Sequence, residues 1–275
     1  MSNPVWKNEV FKATARSAGT LPLRTKGVVY KTLSCLLILT VSTIYMWIRF
    51  YTGRGIILPT IIAVGGGLAG FYVSYAVPGI SLLSVPLFTV LEGITVGGVS
   101  ALVEIFYPGI ILNAVTMTYI AALLVLLMYR FDFLIIGNVA FRSVSLTVVS
   151  IIFFYLLKGL LALFSIRFLY FISPVGMGVC LAVIIVGSVN LIRDMDFVKE
   201  MEEKGIRRLA EWSAVFGIIL TVGWVYLEVA KIMKICKNFL MRQVKEKGGK
   251  LTKDKRDTSV AAGEDPASKE TDPEK

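Results

Sequence analysis

The sequence contains no histidine, and that absence removes imidazole metal sites, histidine-based triads, the HExxH motif of zincins and the usual pH switch. Proton chemistry in this chain falls to carboxylates or lysine. Cysteine is scarce: Cys35, Cys180 and Cys236 stand singly and far apart, which offers neither a CxxC motif nor a paired disulfide framework. They read as small buried apolar residues. Charge is scarce too, with 17% of the 275 residues charged against 56% hydrophobic, and the mean hydropathy of +0.73 lies outside the range of soluble domains. No secretory signal is expected, because the first 27 residues hold Lys7, Lys12, Arg16, Arg24 and Lys26 without a short apolar core or small-residue cleavage site. The first apolar span then acts as an uncleaved signal-anchor.

What is present is a series of apolar runs. They predict an all-α polytopic membrane protein: a basic arm over residues 1–27, a transmembrane bundle over 28–236, and a disordered charged tail over 237–275. The expected spans cover 28–49, 55–76, 80–106, 110–129, 143–164, 175–193 and 212–233. Gly65-Gly66-Gly67 and Gly70 in the second span predict a close packing face. A phosphate loop would need a strand before the glycines and a soluble helix after them. The net charge of +10 reads as lipid anchoring, with anionic lipid at the basic arm and tail as the expected partner. Nucleic acid is not expected, since no soluble domain is available to carry a reading module.

Ionisable residues inside spans are expensive and point to function. Glu92 falls near the centre of the third span beside Gly93, where it either faces a polar interior or bonds, protonated, to a neighbouring helix. Glu104 falls at the span's end, an interfacial position. Lys158 is the one cation well within a span, and either pairs with an intramembrane carboxylate or snorkels. Asp194 and Asp196 end the sixth span, and Glu228 lies in the far half of the seventh. Asp132 and Arg142 are assigned to a connection, and Gly205 is the expected helix stop. With a cytoplasmic N-terminus and seven crossings, twelve bases lie inside against three outside, which satisfies the positive-inside rule. The basic tail would then lie outside. Six crossings plus a re-entrant last segment would keep both ends inside.

The blocks Leu91-Glu92-Gly93, Pro108-Gly109-Ile110, Asp194-Met195-Asp196-Phe197, Glu211-Trp212 and Trp224-Val225-Tyr226-Leu227-Glu228 resemble the Bax-inhibitor family of membrane proteins, most closely its bacterial branch. The resemblance runs from the arm to Lys234. It implies a seven-helix bundle with the last helix near its centre, in a bacterial inner membrane. It also implies a pH-sensitive calcium leak, or Ca²⁺/H⁺ exchange, controlled by two acids in the last two helices. By motif these are Asp194 and Glu228, which become the implied Ca²⁺ contacts. Two nearby carboxylates in low dielectric share a proton, and deprotonation separates them and frees oxygen ligands for a hard cation.

This chain departs from that pattern in two ways. A hairpin turning near Gly205 sets Asp194 opposite about Ala214, leaving Glu228 roughly 20 Å further along its helix, so the acids would communicate along a path through Glu92. No arginine lies in the second span to latch the sixth-helix acid, which leaves Arg54 or Lys158 as substitute counter-ion. The expected ion and proton pathway is therefore Glu92, Asp194, Asp196 and Glu228, with no cofactor. One rival is a proton-coupled carrier, although no inverted repeat or paired broken spans are visible. Another is a structural or regulatory membrane protein acting through partners. An enzyme is not expected: GxSxG is missing, and Asp194 and Asp196, two apart on a helix, do not face each other.

Overall fold

The computed structural model describes residues 22–106, 110–131, 138–163 and 174–228. Apolar runs of this length must satisfy their backbone internally in hydrocarbon, and the chain does so as helices. They are α1 (Thr25–Tyr51), α2 (Ile57–Ala76), a 3₁₀ turn (Pro78–Ile80), α3 (Ser81–Glu104), α4 (Ile110–Phe131), α5 (Val139–Leu163), α6 (Pro174–Glu203) and α7 (Ala210–Glu228). Among the described residues five of them, α1, α2, α3, α4 and α7, are long and apolar enough to cross a membrane. The molecule is an all-helical, polytopic membrane protein.

Burial sorts the helices. Only 17% of the apolar stretch of α2 is buried, against 78% for α4 and 72% for α7. Leu58, Ile61, Ile62, Leu68 and Tyr72 point out from α2, so its outer face is built for lipid. α7 is enclosed: Phe216 stacks edge-on against Phe88 of α3 at 5.3 Å and leans on Phe71 of α2 at 5.7 Å. On another side, a Cβ at Gly187 of α6 would come within 2.9 Å of Val225.

The second-span glycines do pack against α3, most closely at Gly66, where a Cβ would lie 3.3 Å from Leu91 Cδ1. At Gly65 a Cβ would meet open space, and at Gly70 it would make ordinary contact with Phe88 at 3.6 Å. The closest backbone approach is that of α3 to α1. A Cβ at Gly93 would lie 2.6 Å from the Leu39 carbonyl oxygen, and one at Gly97 would lie 2.8 Å from Met46 Cβ. Backbone therefore rests on backbone between α1 and α3, as small residues permit in membranes. The Thr43 hydroxyl donates to the Gly93 carbonyl at 3.1 Å across that seam.

Two turns explain where the polar residues fall. α6 runs ten residues past the expected end of its span and stops at Gly205, whose φ of 67° suits glycine. The hairpin does not close there. Residues 206–209 are used to pair with the segment before α1: Leu23 N donates to the Ile206 carbonyl at 2.6 Å, and Pro22 bridges Arg207. α7 therefore starts at Ala210, five residues after Gly205, and its register against α6 shifts by about two turns from a hairpin closing at Gly205.

Candidate functional site

Polar side chains occur in three layers along α6 and α7, and each layer ties a different set of helices. The outermost closes the start of α1. Arg24, at its N-cap, provides no side-chain cap, and carboxylates far along the chain take that role. Glu202 accepts from Thr25 N at 2.9 Å and Glu211 from Arg24 N at 3.2 Å, where the helix dipole favours negative charge. Glu211 is 2% exposed and pairs with Lys31 at 2.5 Å, whose ammonium also lies 5.1 Å from the Trp212 ring centre. Gly27 leaves the space, since a Cβ there would sit 3.1 Å from both Glu211 oxygens.

The middle layer is a clamp. Asn138 accepts from Phe141 N at 2.9 Å and so caps α5, which puts Arg142 one turn inside the helix and not in the preceding connection. Arg142 is 7% exposed. Its two terminal nitrogens donate to the two oxygens of Asp196 at 2.9 and 2.7 Å, the bidentate geometry that arginine favours. The Tyr129 hydroxyl of α4 donates to Asp196 and accepts from Arg142 at 3.1 Å. One carboxylate therefore joins α4, α5 and α6.

The innermost layer lies at mid-length of α7. Asp194 is buried and accepts from the Thr221 hydroxyl. Its partner position is Thr221 and not Ala214, because of the shifted hairpin. Glu228 then stands seven residues beyond that contact, about 10 Å along the helix instead of about 20 Å. Asp194 is likewise not at a helix end, since α6 continues to Glu203.

Glu92 reaches the same level from α3. Its carboxylate packs on Gly223, where an added Cβ would collide with it. Among the described residues Glu92 is half-buried and has no hydrogen-bond donor. Tyr119 and Tyr226 lie within its electrostatic reach. Their hydroxyls are held in place, Tyr119 against Thr43 at 2.8 Å and Tyr226 by Ser100 at 2.8 Å. Asp194 and Glu92 thus flank α7 at residues two apart, on opposite sides of that helix.

The remaining sequence candidates are dispersed. Arg54 is exposed in the turn after α1, at the opposite end of that helix from the Glu211 layer and away from Asp194. Arg142 of α5 meets a sixth-helix acid, and that acid is Asp196. The side chain of Lys158, Asp132, and the residues after Glu228 lie outside the described residues. Glu104 is not solvated at an interface: it is 6% exposed and accepts from Leu112 N at 3.4 Å in the first turn of α4. Cys35 is free and buried as expected. Among the described residues, no three His, Cys, Asp or Glu side chains form a group that could hold a metal ion.

Sequence reasoning missed Arg142, Tyr129, Thr221 and the pairing of Glu211. The cap at Asn138 is the signal that would have moved Arg142 into the helix. For Thr221 and Tyr129, which sit in apolar runs, no local signal exists.

Comparison with curated proteins returns no match, and neither does comparison with solved structures. A family model described as Bax inhibitor 1 like matches residues 3–238, a stretch that takes in every described helix and all three polar layers. That match bears out the family resemblance carried by the sequence blocks, and the chain belongs to the Bax inhibitor 1 like family.

Proposed function

We propose that this protein is a pH-sensitive cation leak, with Ca²⁺ as its cargo, in which protonation of carboxylates packed on α7 sets the position of that helix. The observation that carries this reading is that Asp194 and Glu92 touch α7 at one level from opposite sides, at Thr221 and Gly223. A carboxylate in low dielectric is costly when ionised and unpaired. Ionisation of Glu92 against the bare backbone of Gly223 favours any movement of α7 that admits water or a cation. Proton uptake favours the packed arrangement. Asp194, held by Thr221, supplies oxygen ligands on the other side of the helix, and Glu228 adds a further carboxylate about two turns on. Asp196 serves as a tether, because Arg142 already neutralises it.

All seven helices crossing the membrane is part of this proposal. The starts of α1, α5 and α7 and the ends of α4 and α6 share one end of the bundle through the Thr25–Glu202, Arg24–Glu211 and Arg142–Asp196 contacts. α7 runs unbroken from Ala210 to Glu228, about 28 Å at 1.5 Å per residue. That length supports a crossing over a re-entrant segment.

The test is Ca²⁺ flux into liposomes across a pH series for wild type, Glu92→Gln, Asp194→Asn and Glu228→Gln. The proposal expects wild-type flux that rises with pH, with the pH response flattened in Glu92→Gln and the flux lowered in Asp194→Asn. Wild-type protein that passes no Ca²⁺ at any pH overturns it and favours a regulatory role through partners.

A further inference from the structure

Between α1, α4 and the inner half of α5 lies an open groove of about 570 Å³. Its walls are apolar, with Leu33 and Leu37 at one end, Trp47 and Leu112 at the other, and the Thr43–Tyr119 hydroxyl pair on its floor. Grooves of this size and lining hold one small amphiphile or chain. In a bundle that sits in lipid, the available apolar filler is an acyl tail.

The end of the groove nearer the start of α1 gives that tail a headgroup. On α4 the groove-facing residues Thr116, Tyr119 and Leu123 follow a helical stripe that continues through Leu127 to Arg130, since positions three and four apart share a face. On α1 the stripe of Leu37 and Leu33 continues to Tyr30. The two stripes meet beyond the lining residues Leu33 and Leu123: the Arg130 guanidinium lies 4.9 Å from the Tyr30 ring centre, which fixes its charge about two turns past Leu123 along α4. Among the described residues no carboxylate pairs with Arg130. From Arg130 to Tyr119 is eleven residues, about 16 Å along α4. One leaflet of a hydrocarbon core roughly 30 Å thick has about that depth.

We propose that this groove is a binding site for one anionic phospholipid, its phosphate at Arg130 and one acyl tail running down the groove to end beside Thr43 and Tyr119. The site is independent of the ion-leak reading. It differs from general attraction of a basic arm to the membrane surface, because it requires a tail-shaped cavity and a single guanidinium.

Protein reconstituted in bilayers of equal phosphatidylglycerol and phosphatidylcholine is released into mild detergent, and bound lipid is counted by native mass spectrometry. Wild type is expected to retain phosphatidylglycerol over phosphatidylcholine roughly fivefold, the discrimination one basic side chain gives at a membrane surface. Arg130→Gln should bring the ratio to near unity with tail retention preserved. Thr40→Trp, which fills the groove, should abolish retention of both lipids. Equal retention of the two lipids by wild type overturns the proposal, as does an unchanged ratio in Arg130→Gln. A second measurement needs no variant: phosphatidylglycerol with a photoreactive diazirine at its tail end should label the segments around Thr40 and Tyr119. Labelling spread instead over the lipid-facing side of α2 overturns the placement of the tail.

Discussion

Replacing Asp196 with alanine is expected to cost about 3 kcal/mol of stability, and most of that cost should disappear when Arg142 is replaced as well. The pair is bidentate, at 2.9 and 2.7 Å, with Arg142 7% exposed. Charge-assisted hydrogen bonds contribute roughly 1.5–3 kcal/mol each. The Asp196 side chain is 34% exposed, so water recovers part of this, and the two bonds sum nearer to about 3 than to about 6 kcal/mol. Asp196→Ala leaves a buried guanidinium with only the Tyr129 hydroxyl, the situation that makes broken buried pairs so destabilising. Arg142→Met keeps the packing of the aliphatic stem and removes the charge. In that background Asp196→Ala should cost less than about 1 kcal/mol, a coupling of at least about 2 kcal/mol. Thermal unfolding in mild detergent, followed by helical circular dichroism, reads the cycle. At roughly 2–4 °C per kcal/mol for a chain of this size, Asp196→Ala should lower Tm by about 6–12 °C, and the double variant should melt within about 4 °C of Arg142→Met alone. Strictly additive shifts would refute the clamp.

Other outcomes follow from single contacts. Gly97→Ala places a Cβ 2.8 Å from Met46 Cβ and 2.9 Å from the Thr43 carbonyl oxygen, so it should destabilise by about 1–3 kcal/mol. Gly65→Ala, into open space, should not lower Tm, and a thermal melt of the two side by side distinguishes the seams. Glu211→Gln removes the charge that faces Lys31 and weakens the cap on Arg24 N. Amide exchange at the start of α1 should then speed up several-fold while exchange in α4 stays unchanged, and an unaltered α1 start would contradict the cap. Gly223→Ala drives a methyl into the Glu92 carboxylate, so it should displace α7 and change the pH response of Ca²⁺ flux while leaving helix content intact. A wild-type pH profile in that variant would remove Glu92 from the mechanism.

The fold was legible because hydrocarbon leaves a chain few choices: apolar runs of span length must be helices, and each expected span whose residues are described is one. Helix partners were less legible. Glycine runs in the second span carried a packing signal that Gly66 and Gly70 bear out against α3, yet the tighter seam formed at Gly93 and Gly97, and Gly65 faces no neighbour. Register was the decisive loss. Gly205 was correctly read as a stop, but residues 206–209 pair with Leu23 and Pro22, a contact between segments more than 180 positions apart in the sequence that no local pattern announces. That detour moves the partner of Asp194 from Ala214 to Thr221 and brings the sixth- and seventh-helix acids about 10 Å closer along the helix than the simple hairpin allows. The same detour gives Glu211 its place under α1. The N-terminal segment and the α6–α7 turn therefore set the depth of Asp194, and a substitution that loosens Leu23 or Glu211 is expected to shift where Thr221 meets Asp194, with Asp194 and Glu92 themselves unchanged.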